Sequence, residues 1–327
     1  MGNAHGALDG DPDAGVPDAA TGVDDDAGTD AGDGTGTCDA GAAGDPAPTV
    51  TPSNLPSNIC DVPGTQDLVV TASSEPDFYT TPCDSVISQS DGLPSICVRK
   101  FANVTVGGPL WGVSPGNEQV VAIVATGTFT VEESGTIVVA DGPADPRGLP
   151  PGYNAGGGGA GHIGAGGAGS SPGGSAYGPT TGNQLVPGAD GHFGDGGYSG
   201  GTPGFHGAAL QVVACHDLHL LGSIEADGSN GQPGHDDYTP HVEYPGSGGG
   251  GGSGGTLVIE AARILGSGGQ LSAVGGQGGR AGGAPGDYTV PGGAGAPGRI
   301  VVNVPACSAS SAFTSDPPAT IGIVGTH

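Results

Sequence analysis

The stretch GGTLVIEAARILGSGGQLSAVGG, residues 254–276, contains the pattern that decides the fold. It reads as a strand, a small turn and a second strand, which are followed by a long glycine-rich excursion. An earlier copy, GAALQVVACHDLHLLGSIEADG, occupies residues 207–228, a looser copy occupies residues 119–142, and a half-copy, GRIVVNV, begins at Gly298. Internal repetition of this kind is typical of proteins in which similar units stack on one another.

The two clearest copies are 47 residues apart, since Leu210 corresponds to Leu257 and Ile224 to Leu271. Short β-branched runs interrupted by glycine predict strands, and no segment shows sustained helical periodicity. Because each copy keeps the same order of strands, equivalent strands are expected to stack in one direction. The sequence therefore predicts an all-β fold, a right-handed parallel β-helix (solenoid). The apolar positions expected to face inward are Leu210, Val212, Leu218, Leu220 and Ile224 in one copy, and Leu257, Ile259, Ile264, Leu271 and Ala273 in the next.

Glycine-rich excursions span residues 143–207, 229–254 and 276–298. All three leave after Ala-x-Gly and return just before a strand, so they are expected to emerge at the same corner of the scaffold. Extended, polyproline-II-like chains are expected here, because glycine lets neighbouring backbones approach closely. The alternative is that the excursions are flexible loops.

Composition restricts the partners. The chain has 327 residues, of which 72 are Gly and 29 are Pro, and its formal net charge is −27. Nucleic acid is a poor partner for such a surface, because affinity for it comes largely from Lys and Arg at the phosphates. Neutral polymers and divalent cations remain compatible with this charge. The partners expected are a carbohydrate or a cell-surface protein, and no cofactor is expected.

Composition also divides the chain into four parts. Residues 1–52 are rich in Asp, Ala and Gly with almost no aliphatic bulk, which predicts a disordered acidic tether. Residues 53–100 contain three cysteines and several prolines and are interpreted as a cap over the first apolar layer of the repeat. The glycine-rich parallel β-helix is expected over residues 101–305, and residues 306–327 are interpreted as a C-terminal tail.

The cysteines and the first residues of the chain bear on the cellular location of the protein. Six cysteines in a loop-rich chain fit disulfides and an oxidising environment, and fifteen full pairings are open. No run of 18 apolar residues is present, so no transmembrane segment is expected. The opening MGNAHGALDG has neither the basic start nor the apolar run of a signal peptide, so the protein is cytoplasmic, or its start lies upstream, or its export signal was removed. The cysteines and the composition favour the last two, and a secreted or cell-surface protein is expected. The candidate disulfide cysteines are Cys60, Cys83, Cys97, Cys215 and Cys307.

Two carboxylates are weak catalytic candidates. Glu225 and Asp227 flank Ala226 and would point to the same side of a continuing strand. Paired carboxylates serve as general acid and base in many carbohydrate-active enzymes. With six basic residues in the whole chain, an anionic polysaccharide would be hard to neutralise as a substrate.

The densest polar cluster is Cys215-His216-Asp217-Leu218-His219. His216 and His219 offer two nitrogen ligands for a metal, with a neighbouring side chain as a third. In a strand, however, residues three apart point to opposite faces. The interpretation favoured here is a turn between two strands, with the leucines inward and both histidines in solvent.

Tyrosine is concentrated in the excursions, which hold six of the seven tyrosines. Tyrosine is an economical contact residue at binding surfaces, so these side chains are candidate binding residues for a sugar or a protein. The alternative is that the rings cover glycine backbone and donate to its carbonyls, forming a small core of the excursions themselves. The candidates are Tyr153, Tyr177, Tyr198, Tyr238, Tyr244 and Tyr288.

A family resemblance adds to these inferences. The strings GSGGTLVIEAARILGSGGQLSAVGGQGG, residues 252–279, and GAGAPGRIVVNV, residues 293–304, resemble the glycine-rich extracellular or lipoprotein-like proteins common in myxobacteria. Those proteins likewise place an Asp/Ala/Gly tether before a cap and a glycine-rich β-helical domain. The resemblance implies export and attachment at the cell surface.

Three functions follow as hypotheses. The first is a non-enzymatic secreted or cell-surface protein of structural or adhesion type that displays glycine-rich loops. The second is a carbohydrate-active enzyme on the same scaffold, which would use Glu225 and Asp227. The third is an ice- or surface-binding protein with a regular glycine-rich face, although the unequal lengths of the excursions argue against a flat repeating array.

Overall fold

The computed structural model describes residues 50–73, 82–90, 92–111, 119–140, 157–169, 171–178, 182–195, 200–236, 246–283, 289–304 and 313–323. Of the predicted tether, residues 1–49 lie outside these ranges. Strands are the only regular elements within them. The strands are β1 Leu68–Val70, β2 Ser85–Ile87, β3 Ser95–Phe101, β4 Val104–Val106, β5 Pro109–Leu110, β6 Gln119–Ala125, β7 Phe129–Val131, β8 Thr136–Val138, β9 Ala209–Leu220, β10 Ser223–Glu225, β11 Thr256–Leu265, β12 Gly269–Ser272, β13 Arg299–Val304, β14 Phe313–Asp316 and β15 Thr320–Ile323.

The strands form two sheets. The larger has ten strands in the order β1-β4-β7-β9-β11-β13-β15, with a branch in which β9 also pairs with β6, β6 with β3, and β3 with β2. The smaller has five strands in the order β14-β12-β10-β8-β5, and all of its pairings are parallel. In the larger sheet the pairing of β2 with β3 is antiparallel and the others are parallel.

This arrangement corrects the predicted fold. The all-β class and the parallel stacking are present, but the right-handed parallel β-helix (solenoid) is wrong, because the strands of the described residues form two sheets that do not close into a solenoid. The antiparallel strand β2 and the branch at β9 also break the single repeating coil that the pattern predicted. A periodic sequence specifies which strands are equivalent, but it does not specify how the sheets close.

The 47-residue correspondence is confirmed in the register. Leu257 pairs with Leu210 in the larger sheet, and Leu271 pairs with Ile224 in the smaller one. The turn predicted at Cys215–His219 is wrong. Strand β9 runs through these residues, and a register irregularity opposite Ala261 and Arg263 accommodates the extra residue.

The main core lies between the two sheets. Every residue predicted to face inward in the two clear copies belongs to it, together with side chains such as Phe129 from the larger sheet and Ile137 from the smaller. A second core, which the sequence did not predict, covers the opposite face of the larger sheet. There Val50, Leu55 and Leu185 pack against strand residues such as Val124 and Val258. Burial on both faces explains why the central strands are nearly continuous apolar runs.

The glycine-rich segments pack against one another as extended chains. We call the described residues within 157–207, 226–255 and 273–298 the glycine bundle. Its segments are joined by backbone hydrogen bonds, for example from Gly204 N to Gly250 O at 2.8 Å and from Gly251 N to Gly293 O at 2.9 Å. Residues 246–255 are all buried. Over these residues the excursions are therefore packed structure, not isolated loops.

In the glycine bundle, the glycines that lie against the backbone of a neighbouring segment recur every third residue. A Cβ atom on Gly251 would overlap the carbonyl oxygen of Gly276, and one on Gly204 would overlap that of Ser229. A three-residue period differs from the two-residue alternation of a strand and equals that of an extended threefold helix. The glycines that recur in this phase include Gly201, Gly204 and Gly207, then Gly228, Gly231 and Gly234, then Gly276, Gly279 and Gly282.

Candidate functional site

Several segments of the glycine bundle end close to the buried residue Ser247. Its backbone N donates to Asp195 O at 2.8 Å, and its carbonyl accepts from Gly201 N at 2.9 Å. Its Oγ accepts from Val290 N at 3.2 Å. The neighbouring Gly246 donates to His235 O at 3.3 Å. We call this part of the glycine bundle, residues 192–195, 200–203, 232–236, 246–248, 282–283 and 289–291, the distal end.

Three connections therefore leave and re-enter the bundle at one place. Residues 196–199, 237–245 and 284–288 lie outside the described residues, but the residues on both sides of each belong to the distal end. Gly282 N donates to Gly246 O at 2.9 Å, which joins the third connection to the second. The sequence predicted that the excursions begin at one corner, but it did not predict that the residues flanking the three connections are joined at the distal end.

A groove opens at the distal end. It has a volume of about 500 Å³ and is lined by residues 200–202 and 232–236. The two lining segments are held together by a hydrogen bond from Gln232 N to Thr202 O at 2.8 Å. Gly201 and Gly234 are buried, whereas Thr202, Gln232 and His235 are exposed. The groove therefore combines a backbone floor with polar walls.

Of the predicted binding tyrosines, the structure describes Tyr177. Its hydroxyl donates to Pro187 O at 2.7 Å, and its ring lies edge-on to His162, with the ring centroids 5.3 Å apart. Tyr177 therefore covers bundle backbone, as the alternative interpretation of the tyrosines expected. The remaining five lie outside the described residues, and four of them fall in the three connections at the distal end: Tyr198, Tyr238, Tyr244 and Tyr288; the fifth is Tyr153.

Of the two weak catalytic candidates, Asp227 contacts the neighbouring strand β12, whereas Glu225 bonds to a residue of its own strand β10. Asp227 Oδ1 accepts from Ser272 Oγ at 2.7 Å and from Val274 N at 2.8 Å. Glu225 Oε1 accepts from Ser223 Oγ at 2.8 Å. Asp227 thus has an evident role in holding the next segment. A catalytic role for either carboxylate stays a prediction.

Side chains of this kind form a ladder that sequence reasoning missed. Asn230 Oδ1 accepts from Gln277 N at 2.7 Å, and Asp236 Oδ1 accepts from Gly283 N at 3.0 Å. Together with the bond from Val274 to Asp227, each joins residues that are 47 apart. The signal was present in the string Asp-Gly-Ser-Asn-Gly-Gln-Pro-Gly-His-Asp, residues 227–236, where glycine recurs every third residue after a polar residue or proline.

The residues of the predicted histidine cluster differ in their exposure and contacts. His216 is exposed and His219 is half-buried on β9. Asp217 forms a two-pronged ion pair with Arg263, from Nε to Oδ1 at 2.7 Å and from Nη2 to Oδ2 at 2.9 Å, and this hydrogen bonding raises the pKa of Arg263 above its ordinary value. Within the described ranges no group of three or more His, Cys, Asp or Glu side chains is arranged to hold a metal ion.

The predicted disulfides are present for four cysteines. Cys60 pairs with Cys215, 155 residues apart, and Cys83 pairs with Cys97, 14 residues apart. Cys38 and the candidate Cys307 lie outside the described residues. The Cys60–Cys215 bond joins the segment that covers the second core to strand β9. Disulfides suggest an oxidising environment.

A buried carboxylate anchors the same covering segment, which we call the cover segment, residues 50–60. Glu260 on β11 is 1% exposed. Ser53 N donates to both of its oxygens, at 3.0 and 3.2 Å. Gln211 Nε2 donates to Oε2 at 2.5 Å, and Asn303 Nδ2 donates to Oε1 at 2.9 Å. The only signal in the sequence was a single charged residue within the apolar run TLVIEAA.

In the glycine bundle the buried His206 pairs with the half-buried Asp190. His206 Nδ1 lies 2.7 Å from Asp190 Oδ1, and His206 N donates to the same oxygen at 3.0 Å. Burial alone would raise the pKa of Asp190, but the hydrogen bonds and charge of His206 outweigh it and lower that pKa. The pair fixes the segment before strand β9 against the neighbouring segment.

The fold and site define an all-β protein in which two sheets support a hydrogen-bonded glycine bundle. Searches against protein-family models, curated proteins and solved structures found no match for this chain. In the part of the chain that the structure describes, no helix has the length and apolar character needed to cross a membrane.

Proposed function

We propose that this chain is a non-enzymatic secreted or cell-surface protein of structural or adhesion type, which displays the connections of its glycine-rich excursions at the distal end. One observation is the main support. Ser247 is hydrogen-bonded to Asp195, Gly201 and Val290, so the ends of separate connections are held at one place. A rigid scaffold that gathers loops at one end is a common arrangement for binding surfaces.

The residues in those connections suit contact with a partner. Tyr198, Tyr238, Tyr244 and Tyr288 have large, rigid side chains with a polar tip. The described residues that flank these connections are joined by backbone hydrogen bonds, so little entropy would be lost in positioning the loop ends on binding. A partner is proposed to be a carbohydrate or a cell-surface protein.

Export is part of the same proposal. Two disulfides fit an extracellular or periplasmic environment, where such bonds persist. The resemblance to glycine-rich extracellular proteins of myxobacteria supports a location at the cell surface. Oxidised, folded protein recovered from the surface or culture medium of the native cell would agree with this location. Recovery in the cytoplasm with reduced thiols would contradict it.

A binding experiment tests the function. The full chain, oxidised and fluorescently labelled, is applied to bacterial cells and to an array of neutral and anionic glycans. We expect saturable binding that falls at least tenfold in Tyr238→Ala/Tyr244→Ala/Tyr288→Ala and is unchanged in Tyr79→Ala, a tyrosine outside the excursions. Circular dichroism verifies that both variants are folded.

Two results would contradict the proposal. The first is wild-type binding at background level on every surface. The second is turnover of a polysaccharide that is abolished by Glu225→Gln or Asp227→Asn, since this result would favour the enzyme instead.

A further inference from the structure

We infer that the groove at the distal end binds a neutral, hydroxyl-rich saccharide chain. The inference rests on the proposed adhesion function and names a ligand class and the residues that recognise it. The groove is defined by described residues alone, 200–202 and 232–236. Its volume of about 500 Å³ lies within the range of about 300–1,000 Å³ that is usual for small-ligand sites.

The groove is held in shape before any ligand binds. Gln232 is fixed through its backbone on both sides, because its N donates to Thr202 O at 2.8 Å and its carbonyl accepts from Gly249 N at 2.9 Å. Gly234 N donates to Arg280 O at 3.0 Å. Binding to a pre-organised surface loses less conformational entropy, which favours affinity for a flexible chain such as a saccharide.

The polar side chains match hydroxyl groups. Gln232 supplies an amide that both donates and accepts, Thr202 supplies a hydroxyl, and His235 supplies an imidazole. Asp236 Oδ1 accepts from Gly283 N, so its Oδ2 is the oxygen that can accept from a ligand hydroxyl. A sugar hydroxyl is both donor and acceptor, and this mixed set of groups can pair with several of them.

The charge of the groove argues against an anionic polysaccharide as the ligand. Neither Lys nor Arg is among the groove residues, whereas Asp236 contributes a carboxylate. The whole chain has a formal net charge of −27. A uronate or sulfated chain would face repulsion from Asp236, because the described groove residues include no Lys or Arg to compensate its negative charge. Pro233 and the ring of His235 add apolar surface against which the C–H face of a neutral sugar can pack.

Calorimetric titration of the full oxidised chain tests the inference. The probes are cellohexaose, maltohexaose, chitohexaose and, as the anionic comparison, hexagalacturonate. We expect at least one neutral hexasaccharide to bind, with a Kd that rises at least tenfold in Gln232→Ala and in His235→Ala. Gln277→Ala is the matched control, since Gln277 is exposed outside the groove and its backbone bonds to Asn230 and Gly231, which do not line the groove.

Asp236→Asn separates recognition from structure. The asparagine retains an Oδ1 acceptor for Gly283 N, so the melting temperature should stay near that of the wild type while the affinity for the neutral saccharide falls. The inference is overturned if no neutral hexasaccharide binds, if hexagalacturonate binds more tightly, or if Gln232→Ala and Gln277→Ala have equal affinities.

The cell-binding assay distinguishes failure of the inference from failure of the function. If Gln232→Ala and His235→Ala bind cells as well as the wild type does, the groove inference is contradicted and the adhesion proposal stands. Saccharide binding in the groove without any cell or matrix binding would support the groove inference and contradict adhesion.

Discussion

The Asp227 side chain holds the backbone of Val274, 47 residues further along the chain, through a hydrogen bond of 2.8 Å from Val274 N to Oδ1. The same oxygen accepts from Ser272 Oγ at 2.7 Å. This bond lies where strands end and the glycine bundle begins, one residue beyond Ala226, whose N donates to Ser272 O. The 47-residue register of the sheets therefore extends into the glycine bundle through the side chain of Asp227. The side chains of Asn230 and Asp236 make the same connection further along the chain.

Removing the bond between Asp227 and Val274 should destabilise the fold and leave the binding of a ligand unchanged. Asp227→Ala leaves Val274 N without its acceptor, and a lost hydrogen bond to a charged group costs about 1–3 kcal/mol. Asp227→Asn keeps an acceptor oxygen and should cost less. Urea unfolding of both variants measures the effect, with Glu225→Gln as the neighbouring control. Equal stability of Asp227→Ala and wild type would contradict a structural role for this carboxylate.

The packing of the bundle predicts a sharp difference between two glycines. A Cβ on Gly251 would overlap the backbone of Gly276 and Gln277, whereas a Cβ on Gly164 would meet nothing within 4 Å. Gly251→Ala should therefore lower the free energy of unfolding by about 3 kcal/mol, at the upper end of typical overpacking costs. Gly164→Ala should change it by less than about 1 kcal/mol. Thermal unfolding compares the two, and similar melting temperatures would show that the segments are not closely packed in solution.

The sequence allowed strands, their equivalence and their inward residues to be predicted, because these depend on local periodicity. Leu210 and Leu257 are paired as the 47-residue spacing indicated, and Ile224 pairs with Leu271. The division into two sheets was not predictable from the same pattern. Nor was the branching of the larger sheet, where β9 pairs with β6, β7 and β11, or the antiparallel strand β2, which has no equivalent in the repeat.

The candidate site was less predictable than the strands. Its members are distant in sequence, as Asp195, Ser247 and Val290 illustrate, and are joined mainly by backbone atoms that leave no compositional trace. The groove residue Gln232 lies in an excursion that the sequence marked only as glycine-rich. The three-residue phase of glycine was the one local signal that could have predicted which side chains of residues 227–236 face outward.

The two described disulfides should contribute unequally to stability. In the chain-entropy model, closing a loop of 155 residues contributes about 5 kcal/mol and a loop of 14 residues about 3 kcal/mol. Cys60→Ser/Cys215→Ser should therefore destabilise the protein more than Cys83→Ser/Cys97→Ser. It should also loosen the cover segment over the second core, increasing binding of a dye specific for apolar surface. An equal or reversed order in urea unfolding would contradict this ranking.

Glu260 should be required to hold the cover segment. Glu260→Gln replaces one carboxylate oxygen with an amide that would face the donors of Ser53, Gln211 and Asn303. An amide NH₂ cannot accept from these donors, and leaving a buried donor unsatisfied costs about 1–3 kcal/mol. Limited proteolysis should cleave the variant within residues 50–60 well before the wild type, whereas Glu133→Gln, at an exposed position, should behave as the wild type does. Unchanged cleavage in Glu260→Gln would show that the cover segment is held by other contacts.

The Asp190–His206 pair predicts how stability depends on pH. Because the hydrogen bonds and charge of His206 lower the pKa of Asp190 in the folded state, against the effect of burial, the ionised carboxylate stabilises the fold. This contribution is fully present above the unfolded pKa, near pH 4, and is lost as the pH falls through the lower folded pKa. Wild type should therefore be more stable than Asp190→Asn at pH 7, and the difference should shrink steadily below about pH 4. Urea unfolding at pH 7, 5, 4, 3 and 2.5 measures this, with Asp61→Asn at an exposed carboxylate as the control, whose effect should stay below about 0.5 kcal/mol. A stability difference for Asp190→Asn that is the same at every pH would mean that the pair contributes through packing and not through its charge.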